Sequence, residues 1–232
     1  MAQWNSNGLH RHIEEIKIFL KHNHKDVLLI SETHCTERAY CYIPQYKIYY
    51  TNHPDTTAHA GTALIRQTFS HYELPSFKKD FLQATSDKVS LLPCELTISS
   101  VYCPPRHNIK EQQFAEFFST LGLNFLAGGD YNSKSTMWSS RITTTKGREL
   151  LKVMENNNYS FLTTAAPTYW PTDQRKTPDL LDFFVTCGSS EFYLDITASY
   201  DLSSDHSPII PTVIEFVISK QPTPPLHNRK TD

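Results

Sequence analysis

Residues 124–132 have the sequence Asn-Phe-Leu-Ala-Gly-Gly-Asp-Tyr-Asn, a short apolar run that ends at two glycines and an acid. The apolar run predicts a buried strand over 124–127. Asp130 and Asn132 stand two residues apart, so an extended backbone points both side chains in the same direction. In α/β proteins, ligand sites assemble at the ends of buried strands and in the loops that follow them. The stretch therefore predicts a core strand and, at the end of that strand, a ligand-binding or catalytic site that includes Asp130 and Asn132.

The segments on either side of this strand predict a sheet covered by helices. Short apolar or β-branched runs predict further strands over 27–31, 46–50, 62–66, 96–102, 181–186, 192–198 and 209–216. Apolar residues at helical spacing predict three helices, over 9–23, at 114–121 and over 146–156. The strands neither alternate strictly with the helices nor separate from them, a pattern that favours an α/β fold with a mixed sheet.

The composition narrows the class of protein. The chain has 232 residues, of which 39% are hydrophobic and 12% aromatic, enough for a sizeable core and unlike a disordered chain. Lys and Arg number 22 against 24 Asp and Glu, so the net charge is -2. A chain so near neutrality does not bind polyanions by bulk attraction and needs a local basic patch to do so. We expect one domain over 1–218, followed at 219–232 by a Pro-rich polar tail or linker.

Cysteine usage and the lack of long apolar runs predict where the protein resides. The five cysteines are odd in number and show neither a CxxC pair nor the Cys/His spacing of a zinc site, which favours reduced thiols. No run approaches the roughly 18 apolar residues of a membrane span. Residues 1–5 lack the features of a signal peptide. These features predict a protein of the cytoplasm or nucleus without a membrane partner.

Polar residues capable of chemistry stand at the ends of the other predicted strands and before the first helix. These residues are Asn5, Asn7, Glu32, Tyr102, Asp182, Asp205 and His206. Taken singly, each has an ordinary explanation. An acid after a strand is usually a solvated loop residue, an Asp-His pair before Ser-Pro can cap a turn, and a tyrosine is more often part of a core than a catalyst. Their occurrence in one order on one chain is harder to explain in that way.

Six short motifs carry a resemblance to a known family. In chain order they are Trp4-Asn-Ser-Asn-Gly8, Ser31-Glu-Thr-His34, Val101-Tyr-Cys-Pro-Pro105, Gly129-Asp-Tyr-Asn132, Leu181-Asp-Phe-Phe184 and Ser204-Asp-His-Ser-Pro208. This order resembles the endonuclease/exonuclease/phosphatase superfamily, which includes the apurinic endonucleases and DNase I. Three further segments narrow the resemblance to the apurinic-type endonuclease domain of jockey-like non-LTR retrotransposons: Trp138-Ser-Ser-Arg141, Lys146-Gly-Arg-Glu-Leu150 and Ala166-Pro-Thr-Tyr-Trp-Pro171. The resemblance implies a four-layer α/β sandwich, in which helices flank two mixed β-sheets and the active site lies at one edge.

Cleavage of a phosphodiester needs a cation against the phosphate charge, a positioned water and stabilisation of the leaving oxygen. Oxygen ligands without a Cys or His cluster favour Mg²⁺, with Mn²⁺ as the alternative ion. We predict Glu32 as the first metal ligand with Asn5 and Asn7 beside it, positions to which the resemblance also points, and Asp205 as a contact to metal or water. Superfamily members carry an acid at the position of Asn7. Because the Asn7 amide lacks that negative charge, we expect it to be a weaker second metal ligand. Because relatives have a fuller first strand, we expect a strand starting at Ala2 to pair poorly.

The remaining candidates form the predicted catalytic group. Asp130 is the candidate to orient or deprotonate the attacking water, with Asn132 holding it and the phosphate. Asp182 is expected to accept a hydrogen bond from one ring nitrogen of His206 while the other nitrogen faces the phosphate. Tyr102 is expected to hydrogen-bond the phosphate or to pair with Asp130. The sequence leaves open whether Asp130 or His206 is the general base.

A group of basic residues and two aromatic residues form the candidate DNA-binding surface. The basic candidates are Lys134, Arg141, Lys146, Arg148, Arg175 and Lys176. Such stretches are often only solvated faces, but beside an endonuclease site they are expected to contact phosphates. Tyr169 and Trp170 lie in a Pro-rich segment and are expected either to wedge into or stack on DNA, or to cap the edge of the core.

The resemblance implies a Mg²⁺-dependent DNA endonuclease that nicks target DNA and leaves a 3′-OH, which primes reverse transcription of a non-LTR retrotransposon. The expected partners are double-stranded DNA and the reverse transcriptase region of the same polyprotein, beyond residue 232. The expected site of action is the nucleus, after synthesis in the cytoplasm. Two alternatives stay open. An apurinic/apyrimidinic repair endonuclease would cut abasic duplexes much faster than intact DNA, and a catalytically weakened DNA-binding module would show no metal-dependent nicking.

Overall fold

A computed structural model of the chain describes residues 1–67, 71–91, 94–188 and 192–215. The strands in these ranges are β1 (Ala2–Asn5), β2 (Val27–Ser31), β3 (Tyr46–Thr51), β4 (Thr62–Gln67), β5 (His71–Glu73), β6 (Phe77–Lys79), β7 (Leu82–Leu91), β8 (Cys94–Tyr102), β9 (Phe125–Asp130), β10 (Ser160–Leu162), β11 (Asp182–Cys187), β12 (Phe192–Ala198) and β13 (Ile209–Glu215). The α-helices are α1 (Ile13–His22), α2 (Glu111–Ser119) and α3 (Thr145–Asn157). Short 3-10 helices span Leu9–His12 and Thr136–Trp138.

The strands form two mixed sheets. The first has the order β12-β13-β1-β2-β4-β3, and the second has the order β10-β11-β9-β8-β7-β5, with β6 paired to β7. The pairs β1–β2 and β8–β9 are parallel, whereas their other neighbours are antiparallel. Three apolar clusters lie between α1 and the first sheet, between the two sheets, and between the second sheet and α2 with α3. Three interfaces require four layers, so the predicted sandwich is confirmed.

The helices form where the sequence places one apolar face. In α1, Ile16, Phe19 and Leu20 are buried against the first sheet, and the spacing of three and four residues puts them on one side of the helix. Two acids in its first turn and two basic residues in its last turn suit the helix dipole. The predicted helix over 9–23 is therefore confirmed, with its first turn tightened into a 3-10 helix.

The start of α3 is fixed on the loop that leaves β9. Thr144 caps the helix, and its side-chain oxygen accepts a hydrogen bond from the backbone N–H of Gly147 at 3.1 Å. Gly147 lies so close to the loop that a Cβ there would stand 1.8 Å from the carbonyl oxygen of Lys134. Only glycine allows this approach, which brings the helix onto the segment that follows Asp130.

The first strand corrects one expectation from the sequence. All four residues of β1 are buried, and the strand pairs with β2 in parallel from Ala2–Leu28 to Asn5–Ser31. On its other side Gln3 pairs with Ile209 of β13. The prediction that a strand starting at Ala2 would pair poorly is therefore wrong. Four residues suffice because β1 lies in the middle of the sheet, with a neighbour on either side.

The sequence did not predict β5, β6, β7 and β10, and β7 shows the reason. At positions of β7 that face the first sheet, where apolar side chains would be expected, the buried residues include polar ones. The Oγ1 atoms of Thr85 and Thr62 lie 2.8 Å apart across the two sheets, and Asp87 forms a buried ion pair with Arg66. Polar pairs of this kind remove the apolar alternation that marks a half-buried strand.

Some predictions fall on parts of the chain that are not described. The predicted end of the last strand at 216 and the Pro-rich tail at 219–232 lie outside the described residues. In the described ranges the cysteines Cys35, Cys41, Cys103 and Cys187 are free thiols. None of the helices in those ranges is both long and apolar enough to cross a bilayer.

Candidate active site

The candidate active site lies at one edge of the sandwich, where strands of both sheets begin or end. In the first sheet β1 ends at Asn5, and β2 ends one residue before Glu32. In the second sheet Asp130 stands between Tyr102 of β8 and Asp182 of β11, directly opposite both in the strand register. Residues far apart in sequence are therefore brought together because their strands end at the same edge.

Asp130 is the buried carboxylate at the centre of this edge, with only 1% of its surface exposed. It accepts hydrogen bonds from the backbone N–H and the side-chain Nδ2 of Asn132 at 2.9 Å each, and from Asn5 Nδ2 at 2.9 Å. Burial raises the pKa of Asp130 well above its ordinary range, and the nearby carboxylates of Asp182 and Glu32 add to the rise. The site thus holds a carboxylate that is oriented by amides and more basic than an exposed aspartate.

His206 and Asp182 form a buried pair beside Asp130. The His206 Nδ1 atom lies 2.6 Å from Asp182 Oδ2, so the predicted hydrogen bond is present. Gln3 Nε2 donates to the other oxygen of Asp182 at 3.1 Å, and the indole N–H of Trp4 donates to the carbonyl of His206 at 3.0 Å. Burial alone would lower the pKa of His206, but the Asp182 carboxylate outweighs it and raises that pKa to about 9. The imidazole is therefore held by its partner as an imidazolium at neutral pH.

The Glu32 carboxylate makes two side-chain hydrogen bonds. Asn5 Nδ2 lies 3.0 Å from its Oε2, and His34 Nε2 lies 3.3 Å from its Oε1. Burial would raise the pKa of Glu32, but the hydrogen bonds from His34 and Asn5 lower it below its ordinary value. Burial and the carboxylates of Glu32 and Asp130 raise the pKa of Tyr102, so this hydroxyl stays a donor. Tyr102 lies directly opposite Asp130 in the strand register, and the charges of both Glu32 and Asp130 act on its hydroxyl, so its contact with phosphate stays a prediction.

The backbone around Glu32 is unusual for residues other than glycine. Glu32 has a φ of +57° and His34 a φ of +53°, and Asn7 and Asn132 have +45° and +46°. The left-handed region costs free energy for most side chains, and such residues concentrate at functional sites. The loops after β1, β2 and β9 are thus all bent in the same unfavourable way where they meet.

Asn5 has a different place from the one predicted. Its Nδ2 donates to both Glu32 and Asp130, and its Oδ1 accepts the backbone N–H of Asn7 at 3.0 Å. With its amide oxygen engaged by the backbone, Asn5 links the two carboxylates and is not placed to ligate a metal. This corrects the prediction of Asn5 as a metal ligand. Asn7 Nδ2 lies 3.4 Å from Asp205 Oδ1, so these two candidates do meet.

The chemical types of the donors at this edge suit a hard divalent cation, although among the described residues the donor atoms of Glu32, Asp130 and Asp205 do not all lie within 4.8 Å of one another. Glu32, Asp130 and Asp205 supply carboxylate oxygens, and Asn7 supplies an amide beside Asp205. Mutual repulsion among buried carboxylates contributes to the high pKa of Asp130, which a bound cation would relieve. Oxygen ligands of this kind are the ones Mg²⁺ and Mn²⁺ prefer.

The predicted basic residues separate into two groups. Arg141, Arg148 and Lys176 are exposed. Lys134 is partly exposed and forms a 2.8 Å ion pair with the buried Asp179. These four residues lie in the chain between β9 and β11, and each is at least partly exposed to solvent.

The other two basic candidates are engaged within the chain. Lys146 is buried and donates to the carbonyl of Pro104 at 2.8 Å, so the prediction that Lys146 contacts DNA is wrong. Its position at the start of α3 points it inward, and burial lowers the pKa of its ammonium. Arg175 remains exposed, but its guanidinium makes two 3.0 Å hydrogen bonds to Asp173. Part of its charge is therefore already compensated.

The two aromatic candidates lie beside His206. The Tyr169 ring centroid is 4.9 Å from that of His206. Trp170 is 44% exposed, its backbone N–H donates to the carbonyl of Asp205 at 2.7 Å, and its indole N–H donates to Ser207 Oγ at 2.9 Å. Tyr169 thus packs on the His206 ring, while Trp170 offers an exposed aromatic surface beside it.

Sequence reasoning missed several residues that position this site. Gln3 orients Asp182, and Ser31 Oγ accepts the backbone N–H of Asp130 at 3.2 Å. Thr168 Oγ1 accepts the N–H of Asp182 at 3.0 Å, and His34 contacts Glu32. His34 carried a signal, because it is a titratable residue two positions after Glu32. The other three are ordinary polar residues whose roles depend on tertiary contacts: Gln3 and Ser31 reach across from the first sheet to the second, and Thr168 reaches Asp182 from the loop before β11.

Comparisons with known proteins agree with this fold. The family described as endonuclease-reverse transcriptase matches residues 96–210. The RNA-directed DNA polymerase from mobile element jockey of Drosophila melanogaster is 35% identical over 208 residues, which is 89% of this chain and 23% of that protein. Its counterpart from Drosophila funebris is 32% identical and covers 99% of this chain and 25% of that protein. The chain thus spans about a quarter of the length of these relatives.

Solved structures share the fold. The endonuclease domain of TRAS1, a telomere-specific non-LTR retrotransposon, superposes with a TM-score of 0.72 at 18% identity, covering 91% of this chain and 96% of that one. The AP endonuclease LMAP from Leishmania major gives 0.74 at 13% identity, covering 93% and 87%. The chain belongs to the endonuclease/exonuclease/phosphatase superfamily, in the group formed by the apurinic-type endonuclease domains of jockey-like non-LTR retrotransposons.

Proposed function

We propose that the chain is a Mg²⁺-dependent endonuclease that nicks one strand of target DNA and leaves a 3′-OH. The observation that carries the proposal is the arrangement of Asp130, a buried carboxylate held by three N–H donors, beside the His206–Asp182 pair. A basic carboxylate next to a cationic imidazole supplies the two groups that hydrolysis of a phosphodiester requires.

The residues divide the chemistry between them. Asp130 takes the proton of the attacking water, because its raised pKa makes it a better proton acceptor than an ordinary aspartate, whereas His206, with the higher pKa of the two, already carries its proton. His206 is already protonated at neutral pH and donates from Nε2 to the phosphate, stabilised by Asp182 at Nδ1. The water oxygen bonds to phosphorus as Asp130 accepts one of its protons, and the bond from phosphorus to the 3′ oxygen breaks. The 3′ oxygen takes a proton from solvent water and Asp130 releases its proton to solvent, so the net reaction consumes one water. The products are a 3′-OH and a 5′-phosphate.

Three side chains are proposed to hold the cation: Glu32, Asp205 and, through its amide, Asn7. Mg²⁺ bound there would offset the phosphate charge and stabilise the developing charge on the leaving oxygen. Asn5 fixes Glu32 relative to Asp130, because one amide group donates to both carboxylates. Glu32 is in turn oriented by His34.

DNA is proposed to lie across the surface that carries Arg141, Arg148 and Lys176, with Lys134 nearer the site. Phosphate contacts from such residues position a duplex without reading its sequence. Trp170 at the rim is placed to stack on a base or to wedge between two bases.

The end left by the nick links the domain to a larger protein. A 3′-OH is the end that a polymerase extends, and the Drosophila relatives carry the name RNA-directed DNA polymerase. We therefore propose that the reverse transcriptase region of the same polyprotein uses this end, in the nucleus where the target DNA lies.

A plasmid assay tests the proposed function. Supercoiled plasmid is incubated with the protein and Mg²⁺, and the nicked circle is then offered to a polymerase that extends only a 3′-OH. We expect nicked circles that extend directly, and a rate at least about 10²-fold lower for His206→Ala. His22→Ala, a change at an exposed histidine, is the matched control. Ends that need prior removal of a 3′-phosphate would contradict the proposal.

The same preparation separates target nicking from abasic-site repair. An intact duplex and a duplex with one abasic site are cut under identical conditions. Comparable rates on the two duplexes support target nicking. Cutting of the abasic duplex several orders of magnitude faster would identify a repair enzyme instead.

A further inference from the structure

A second group of metal-binding side chains lies in the loop between β3 and β4. His53, Asp55 and His59 each offer one donor atom, and the three atoms lie within 4.8 Å of one another. His53 Nδ1 is 2.9 Å from Asp55 Oδ1, and His59 Nε2 is 3.6 Å from Asp55 Oδ2. In sequence the spacing is His-x-Asp-x3-His. None of the three residues has a place in the candidate active site.

The distances suit a bound ion. For metal–ligand bonds near 2.1 Å, tetrahedral or octahedral geometry places adjacent donor atoms roughly 3.0–3.4 Å apart. The two measured separations, 2.9 and 3.6 Å, lie on either side of that range. The two distances end on different oxygens of the same Asp55 carboxylate, so the carboxylate lies between the two imidazoles.

The ring of His59 provides an independent indication. Its Nε2 is shielded from solvent and, within the described part of the chain, has no hydrogen-bond partner. Its Nδ1 lies 2.6 Å from Thr57 Oγ1, a contact that fixes the ring with Nε2 toward Asp55. A shielded ring nitrogen without a partner costs free energy, which a bond to a metal ion would recover. Ligating histidines commonly have their second nitrogen fixed in this way.

We propose that His53, Asp55 and His59 bind one divalent first-row transition metal ion, with water completing its coordination. Two imidazole nitrogens and one carboxylate favour Zn²⁺ and its neighbours over Mg²⁺, which prefers oxygen ligands. The site would therefore differ in metal preference from the edge that carries Glu32. His53 is nearly buried, with 8% of its side chain exposed, so one ligand is anchored before the ion arrives.

The ion would stabilise the loop that supports the active site. The end of the metal-binding loop pairs with the loop after β2: the backbone N–H of Thr33 donates to Gly61 O at 3.2 Å, and that of His34 donates to Ala60 O at 2.9 Å. His34 is a partner of Glu32. The proposed role is structural, because the ion would fix a segment that holds a residue of the active site.

Zinc titration in the presence of saturating Mg²⁺ tests the proposal. Free Zn²⁺ is set by a chromophoric chelator, and bound zinc is measured per chain. We expect one equivalent for the wild-type chain and for Glu32→Gln. His59→Gln and Asp55→Asn should each lower the affinity at least about 10²-fold. His107→Gln is the control, since His107 lies outside the ligand set.

Thermal unfolding gives a second readout that does not depend on activity. Zinc that binds the folded chain raises its midpoint of unfolding by mass action. We expect this rise for the wild-type chain and for His107→Gln and its absence for Asp55→Asn, a nearly isosteric change at a half-exposed residue. Lack of a zinc equivalent in the wild-type chain would overturn the proposal. So would zinc binding that survives His59→Gln and Asp55→Asn, or that is lost in Glu32→Gln.

Discussion

Single residues at the active site acquire their chemistry from burial beside other charged groups. Asp130 is a stronger base than an exposed aspartate because it is buried near two more carboxylates, and His206 is a stronger one than an exposed histidine because Asp182 is 2.6 Å away. Both effects arise from contacts between strands that are distant in sequence. The shifted pKa values of Asp130 and His206 can therefore be measured in the isolated chain.

The first prediction at this scale concerns the pH dependence of stability. His206 has a pKa of about 9 in the folded chain, against 6.5 for an ordinary histidine. Because the folded value is the higher one, the stabilisation is fully present below about pH 6.5 and is lost as the pH rises through about 9. NMR titration of the metal-free chain should show this pKa. Urea unfolding should show a loss on the order of 1–3 kcal/mol across that window.

Asp182→Asn provides the control for this prediction. Without the carboxylate, His206 should titrate near or below its ordinary value, and the loss of stability between neutral and alkaline pH should shrink. Titration of His206 near 6.5 in the wild-type chain would contradict the account of the pair.

The second prediction concerns Asn7. Its amide lies 3.4 Å from Asp205 Oδ1, so Asn7→Asp would place a carboxylate against a carboxylate. Without metal, repulsion should lower the melting temperature. With Mg²⁺, the added negative ligand should lower the concentration needed for half-maximal nicking, by roughly tenfold. Asn7→Ala should raise that concentration, and a lower Mg²⁺ requirement in both variants would contradict a role near the metal.

The sequence predicted which residues form the candidate active site better than it predicted which atoms those residues contact. Asp130, Asp182 and His206 were identifiable because they stand at strand ends in motifs of a known order. The role of Asn5 was mistaken, since a sequence does not show which atom of an amide faces a carboxylate. Lys146 was mistaken because the direction of a side chain at the start of a helix depends on how that helix is docked.

At the scale of elements, the docking of α3 depends on one glycine. Gly147→Ala would place a Cβ 1.8 Å from Lys134 O, a backbone atom that cannot move aside easily. We expect a loss of roughly 2–3 kcal/mol in the free energy of unfolding, measured by urea denaturation. Gly122→Ala is the matched control: its φ is +81° but no atom lies within 4 Å of the added Cβ. It should cost only about 1 kcal/mol, from backbone strain. Equal losses would show that the close approach is unimportant.

Elements were predictable where one face is apolar throughout. The strands β2, β9 and β11 and the three helices follow from such patterns because their inward residues are hydrophobic. The long strand β7 escaped because Thr85 and Asp87 point inward and are satisfied by the opposite sheet. Where polar side chains form part of the interface between the sheets, the strand shows no alternation of apolar and polar residues in its sequence.

For the whole molecule, the net charge of -2 does not exclude DNA binding, because charges differ in their access to solvent. Asp130 and Asp182 are buried at the active-site edge, whereas Arg141, Arg148 and Lys176 are exposed. Replacing Arg141, Arg148 and Lys176 together with alanine should weaken DNA binding and reduce the slope of log affinity against log salt by roughly 2 to 3, since each phosphate contact contributes about 0.9. Lys21→Ala with Lys47→Ala, at exposed positions in α1 and β3, is the control. An unchanged slope in the triple variant would exclude this surface.

The central claim is that Asp130 acts on the attacking water within a metal-dependent nuclease site. The most direct measurement is the rate of plasmid nicking with Mg²⁺ by Asp130→Asn, compared with the same change at the exposed Asp80. We predict a loss of at least about 10²-fold for Asp130→Asn and no loss for Asp80→Asn, with both variants folded by circular dichroism. Wild-type nicking rates in a folded Asp130→Asn protein would contradict the account.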